Sequence, residues 1–119
     1  MLAAVHTTKQ TNVRKRRSDR NHLIYRVENS CTGDFYIGVT VAVGRGHQKS
    51  LLTRWKRHVY KAVKLGVDWE FSAAIREHGE SAFRIEMLEV VRGKAEAFQR
   101  ETQLINALRP AYNTRMKAC

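Results

Sequence analysis

A small α+β domain is the fold that this chain predicts: a three-stranded antiparallel sheet flanked by helices, with the elements in the order β-β-α-α-β-α. Three observations lead there. Two runs of β-prone residues stand on either side of a turn cluster that contains Gly33. Three segments repeat their apolar residues at helical spacing. A third alternating run lies between the second and third of those segments.

The first strand is read in Leu23–Glu28, where Leu23, Tyr25 and Val27 point one way and Ile24 and Arg26 the other. Residues 29–34 form the turn, and Phe35–Thr40 is the second strand of an antiparallel hairpin. Residues 41–49 contain Gly44 and Gly46 and read as a loop. Ser50 is placed to cap the helix that follows, with Leu51, Leu52, Trp55, Val59, Ala62 and Val63 at helical spacing and Gly66 as its stop. Asp68 is placed to cap a shorter helix through Phe71, Ala74 and Ile75 to Gly79. Phe83, Ile85 and Met87 alternate with Arg84 and Glu86 in a third strand, and residues 94–108 form a last helix closed by Pro110. There is no internal repeat and no low-complexity tract.

The composition bounds the function. Of 119 residues, 22 are Lys or Arg and 11 are Asp or Glu, a net charge of +11. A length of this order suits one domain with a core of its own. No apolar run approaches the roughly 20 residues that span a bilayer. Two cysteines, Cys31 and Cys119, make neither a disulfide scaffold nor a four-thiolate zinc site, and such sparse use fits a reducing compartment. The excess positive charge points to a polyanionic partner, nucleic acid first. Part of it is concentrated in a basic tail over residues 1–21, where Arg14, Lys15, Arg16 and Arg17 form a run, ahead of a domain over residues 22–119. Few large apolar residues stand in that tail, so it is expected to be mobile and suited either to phosphate contact or to solubility. Its apolar start, Leu2 to Val5, is too short for a secretory signal, so the chain is expected to stay in the cytoplasm.

Several residues stand out against their surroundings. The apolar stripe of the last helix runs through Phe98, Ile105 and Leu108, and Glu101 falls inside it. An inward carboxylate is costly unless paired, hydrogen-bonded or bound to a metal. Arg54 and His58 are four apart on one helix face. Arginine presents a permanent charged fork that suits phosphodiester oxygens, and histidine relays protons near neutral pH. Lys56, Arg57, Lys61 and Lys64 share that helix, so on its own the pair is better accounted for by a solvated basic face. Tyr25 and Tyr36 are by themselves ordinary hairpin residues, and a phenol is a poor base at neutral pH unless a cation lowers its pKa.

Taken in order, these residues match a family. Leu23-Ile24-Tyr25, followed eleven residues from the tyrosine by Tyr36-Ile37-Gly38, resembles the signature of the GIY-YIG nucleases. Arg54-Trp55-Lys56-Arg57-His58 resembles the family's arginine–histidine helix. Ile75-Arg76-Glu77-His78-Gly79 and the strand after it resemble a segment of the phage intron-homing members. Arg100-Glu101-Thr102-Gln103-Leu104-Ile105 resembles the segment with the metal-binding glutamate, and Pro110-Ala111-Tyr112-Asn113 the closing segment. The resemblance covers about residues 22–115.

The resemblance implies a DNA endonuclease that hydrolyses phosphodiester bonds with one divalent ion, Mg²⁺ or Mn²⁺, held by Glu101. Oxygen ligation suits such an ion, which keeps most of its waters. Arg54 is expected to stabilise transition-state charge, Tyr25 to take a proton from water, Tyr36 and His58 to orient the water or pass the proton on, and Asn113 to fix the geometry from behind. The choice of base between the two tyrosines stays open in the sequence. One such site cuts one strand, so a double-strand break needs a homodimer or two events.

Departures from the family pattern are also legible. Leu23 stands where the family has Gly. The stretch from Tyr36 to Arg54 is longer than in compact homing members, and its excess, residues 40–50, carries Arg45, His47 and Lys49. With Arg57 and the tail, Arg45 and Lys49 are the expected DNA contacts. Homing members usually add a separate recognition domain, whereas here only four residues follow Arg115. Selectivity is therefore expected from the tail, the loop or a partner protein. Two other identities share the composition: a non-catalytic DNA- or RNA-binding protein that keeps the fold, and the nuclease subunit of a repair or recombination assembly.

Overall fold

The hairpin and third strand assemble with the first strand at the centre. The structure is a computed structural model that describes residues 19–44 and 46–113. β1 (Asn21–Asn29) pairs antiparallel with β2 (Phe35–Val41) on one side and with β3 (Phe83–Arg92) on the other, giving the order β2-β1-β3. Between β2 and β3 come α1 (His47–Val63), α2 (Glu70–His78) and a short 3-10 turn, Glu80–Ala82. α3 (Lys94–Leu108) follows β3, and a second 3-10 turn, Ala111–Asn113, closes the described chain. The α+β class, the element order and the antiparallel sheet are as the sequence predicts.

A central strand has two faces to cover, and β1 shows it. Leu23, Tyr25 and Val27 are fully buried on one face, and so is Ile24 on the other. Burial of an aliphatic side chain of this size contributes roughly 1.5–3 kcal/mol. The first face carries the main core, where Leu51, Trp55 and Ala62 of α1 meet Phe71, Ala74 and Ile75 of α2 and Tyr112 of the closing turn. The second face lies under α3. There Ala97 is fully buried, and Arg100 makes bidentate hydrogen bonds of 2.7–3.1 Å to Glu89, which sits opposite Ile24 in the ladder.

The structure corrects several local expectations. Ser50 is not a cap: α1 begins three residues earlier, at His47. The Ser50 hydroxyl instead accepts from the Val43 amide (3.0 Å) and donates to the Val43 carbonyl (3.3 Å), tying the preceding loop to the helix. The irregular segment after β2 therefore shrinks to about residues 42–46, and Arg45 lies outside the described residues. Asp68 does not cap α2, whose N-cap is Trp69 with no side-chain bond. Leu52 and Val63 are exposed, because the stripe that α1 buries is narrower than its apolar residues suggest. In α3 the buried residue is Ala97, whereas Phe98 and Leu108 are 43% and 48% exposed. The strand register shifts at Ile24/Tyr25, between Glu89 and Met87, and Met87 is exposed. The basic run Arg14–Arg17 and Cys119 lie outside the described residues, and Cys31 is an exposed free thiol. Among the described residues no helix is long and apolar enough to cross a membrane.

One buried side chain ties the hairpin to the end of the fold. The Oδ1 of Asn29 accepts from the Cys31 amide (2.9 Å), while its backbone carbonyl accepts from Gly33 (2.7 Å). This bends the turn, and Gly33 adopts a positive φ of 84° that glycine takes without steric cost. Asn29 Nδ2 donates to the Tyr112 hydroxyl at 3.1 Å, across 83 residues of sequence. Replacing Asn29 with Ala is expected to cost about 1–3 kcal/mol in urea unfolding, since it strips the buried Tyr112 hydroxyl and the part-buried Cys31 amide of their partner. A midpoint equal to wild type would show that the turn holds without this side chain.

Candidate active site

The site is assembled around the Tyr25 ring. Tyr25 stands on the central strand directly across from Gly38 of β2. A Cβ on Gly38 would lie 2.5 Å from the Tyr25 Oη and 2.7 Å from ring carbons of both Tyr25 and Tyr36. Only glycine therefore lets the phenol cross over β2 toward α1. Tyr36 shares this face of the hairpin and stacks on Phe71 of α2, with ring centroids 4.5 Å apart and planes 7° from parallel. Its ring meets His58 edge-on at 5.2 Å.

α1 supplies the basic side chains. Leu51 and Trp55 anchor the helix in the core, and residues one turn apart on its flank, Arg54 and His58, reach the tyrosines. Arg54 Nε donates to the Tyr25 hydroxyl oxygen at 3.2 Å, and that oxygen lies 2.8 Å from His58 Nε2. With Arg54 donating to the oxygen, the phenol proton is left for the imidazole. The neighbouring Tyr36 hydroxyl also lies within hydrogen-bonding reach of Tyr25, so the remaining direction on the oxygen is one that Tyr36 or a water can fill.

Burial sets the charge states. Desolvation, reinforced by Tyr36, pushes the Tyr25 phenol well above its usual range, and the opposing pull of Arg54 is smaller. Tyr36 is raised by burial as well, again against Arg54. A neighbouring cation is thus insufficient here to make either phenol a free base at neutral pH. His58 is pushed down to about 3, first by burial and then by the positive charges of Arg54 and Lys61, so its ring is neutral. Glu101 of α3 lies within electrostatic reach of Tyr25, Tyr36 and Arg54. Burial raises its carboxyl and Arg54 opposes the rise. The inward position that the helical spacing predicted for Glu101 is a half-buried one.

Five of the six predicted catalytic residues are thus brought together around the Tyr25 ring: Tyr25, Tyr36, Arg54 and His58 by contact, and Glu101 by its electrostatic reach. Asn113 sits behind it. Its side-chain amide accepts from the Ile37 amide (2.8 Å) and donates to the Ile37 carbonyl (2.7 Å), pairing with the outer edge of β2 as another strand would. This clamps the backbone between Tyr36 and Gly38. Lys49 and Arg57 line a groove of about 700 Å³ that opens beside Arg54, between α1 and α3. Phe71, which packs on both Tyr36 and His58, is missed by the sequence as a site residue, because helical periodicity assigns it to a generic apolar stripe.

The donor set suits a hard divalent ion better than a soft one. Among the described residues no group of three or more His, Cys, Asp or Glu could form a cage. A single half-buried carboxylate beside phenol oxygens matches an ion that keeps its waters and also binds a substrate phosphate. The family model described as the GIY-YIG catalytic domain matches residues 21–115. No curated protein and no solved structure matches the chain.

The neutral His58 has a consequence for stability. Unfolding returns the imidazole to an ordinary value near 6.5, so between that pH and about 3 the unfolded chain binds one more proton than the folded one. Stability is therefore expected to fall as pH drops from 7 to 5, by at most about 1.4 kcal/mol per pH unit from this group. Urea unfolding of wild type and His58→Gln at several pH values checks it. The variant is expected to show the shallower slope, and parallel slopes would rule out a histidine held neutral by the fold.

Proposed function

The chain belongs to the GIY-YIG nuclease family, and from that premise we propose that it is a DNA endonuclease that hydrolyses phosphodiester bonds with one divalent ion held by Glu101. The observation that carries the reading is the joined set of Tyr25, His58 and Arg54, with the half-buried Glu101 in their electrostatic reach. A fold kept only for binding gains nothing from an inward carboxylate, which repels phosphate and loses solvation. The non-catalytic alternative therefore has no specific observation in its favour.

In this mechanism Arg54 is the fixed cation that meets a non-bridging phosphate oxygen and stabilises the added charge of the transition state. The buried Tyr25 acts without becoming a free phenolate. Its oxygen receives the proton of the attacking water while its own proton passes to His58 Nε2, 2.8 Å away. The neutral state of His58 gives that nitrogen a lone pair for the phenol proton, and the negative charge of a bound phosphate offsets the burial and neighbouring cations that otherwise disfavour the protonated ring. Tyr36, held by its stack on Phe71, confines the water beside Tyr25. Asn113 holds β2, and with it Tyr36, in place. A divalent cation such as Mg²⁺ or Mn²⁺, when bound at Glu101, supplies charge neutralisation at the phosphate and at the leaving 3′ oxygen. DNA approaches over Lys49 and Arg57, with Arg14, Lys15, Arg16, Arg17 and Arg45 as further phosphate contacts. Double-strand cutting requires a second copy or a second event, and the reading places the reaction in the cytoplasm of a bacterial or phage-infected cell.

The purified protein is expected to nick plasmid DNA with Mg²⁺ or Mn²⁺ and to stop on chelation. Glu101→Gln is expected to lower nicking by about 10²–10³-fold or more while DNA affinity in gel-shift assays changes little. Full activity in that variant would remove Glu101 from the mechanism. Deletion of residues 1–20 is expected to weaken DNA binding and to flatten its dependence on salt, as fewer counterions are released. An unchanged salt slope would assign the tail to solubility alone.

A further inference from the structure

The groove between α1 and α3 has a mixed lining that phosphate binding does not require. Lys49, Arg57 and Lys94 stand on its walls, and among the described residues no Asp or Glu lines it. Beside these cations lie Val39, Val43 and Phe98. Val43 is 56% exposed and Phe98 is 43% exposed, so neither contributes fully to a core. The Lys94 ammonium is 5.7 Å from the Phe98 ring centroid, which puts a cation beside an open aromatic ring. Phe98 is one turn before Glu101 on α3, and Arg54 lines the same groove. A volume of about 700 Å³ lies within the range of pockets that enclose small organic molecules, about 300–1,000 Å³, and far below what a duplex occupies.

Charge alone suffices to hold a sugar–phosphate backbone, since nonspecific affinity comes from cations. Apolar and aromatic surface left open beside those cations suits the π-face of a base, which stacks on aromatic side chains regardless of its sequence. A paired base presents only its edge in the grooves of the duplex, so its face is available only when it is unpaired. We propose that this groove is a subsite for an unpaired nucleobase next to the scissile phosphate, stacked on Phe98, so that DNA carrying unpaired nucleotides at the cut is preferred over continuous duplex. This rests on the nuclease reading above and names the substrate class of that same site. The cations on the walls meet the phosphates on either side of the base, and Arg54 marks the end of the groove where the strand enters the reaction centre.

The test compares a continuous duplex with the same duplex carrying a single unpaired 2-aminopurine, with chelator present so that no strand is cut. Wild type is expected to bind the second DNA roughly ten-fold more tightly and to quench the 2-aminopurine fluorescence by stacking. In Phe98→Ala the quenching is expected to vanish and the affinity ratio to fall toward one, while Phe98→Tyr keeps both. Far-UV circular dichroism checks the folding of each variant. Equal binding of the two DNAs by wild type overturns the proposal, and so does quenching that survives Phe98→Ala. The groove would then be left to a second copy or to another segment of this chain. Ring-dependent quenching by a wild type that cuts no DNA after Mg²⁺ is restored supports the subsite and refutes the nuclease reading alone.

Discussion

The Tyr25 hydroxyl is where the sheet, the first helix and the charges of the site meet. It reaches that position because Gly38 across the ladder leaves no Cβ in its way. Once there it receives a hydrogen bond from Arg54 and lies against His58, so the register of the hairpin and the rotation of α1 are locked together by one oxygen. Leu51 and Trp55 fix α1 from the core side, and the polar link fixes it from the site side. Each element depends on the other: the strand alone cannot hold a buried phenol without a partner, and the helix alone cannot bury an arginine.

Two asparagines support this arrangement from outside the reaction space. Asn113 occupies the open edge of β2 with a paired amide, which satisfies an amide and a carbonyl that an edge strand otherwise presents to water. Asn29 binds the hairpin turn to Tyr112, the neighbour of Asn113. The closing turn is thereby held at two points, one on each strand of the hairpin. Its distance in sequence from the tyrosines gives no hint of this, yet it bounds the position of Tyr36 and Gly38.

Charge and burial act against each other throughout the site. The chain carries a net +11, and Arg54 draws every neighbouring acid downward, but desolvation is the larger effect on Tyr25, Tyr36 and Glu101. The result is a neutral phenol and a neutral imidazole beside a permanent cation, which favours a proton handed between fixed partners over a free base. The same burial leaves the carboxylate of Glu101 underneutralised, which is the electrostatic state that a divalent ion relieves.

The element order and the hairpin are legible in the sequence, because alternation and helical spacing are local and need no knowledge of what lies opposite, whereas in the stripe that set Glu101 inward Phe98 and Leu108 are exposed and Glu101 is half-buried. The spacing of Tyr25 and Tyr36, of Arg54 and His58, and the order of the later segments were likewise legible as a family resemblance, and the family match covers the same span. Other features were decided only in three dimensions. Ser50 looked like a cap, yet α1 extends past it because its hydroxyl finds the Val43 backbone. Phe98 looked like core, yet α3 rolls so that Ala97 faces the sheet and the aromatic ring opens into a groove. Asp68 and Ser50 are equally good caps by residue type, so only the backbone path could reject them. The neutral state of His58 could not be read from its place in a basic helix, because a pKa is set by the desolvation and charge that the folded chain brings around it. A sequence pattern says which way a side chain points; what meets it there is a property of the whole fold.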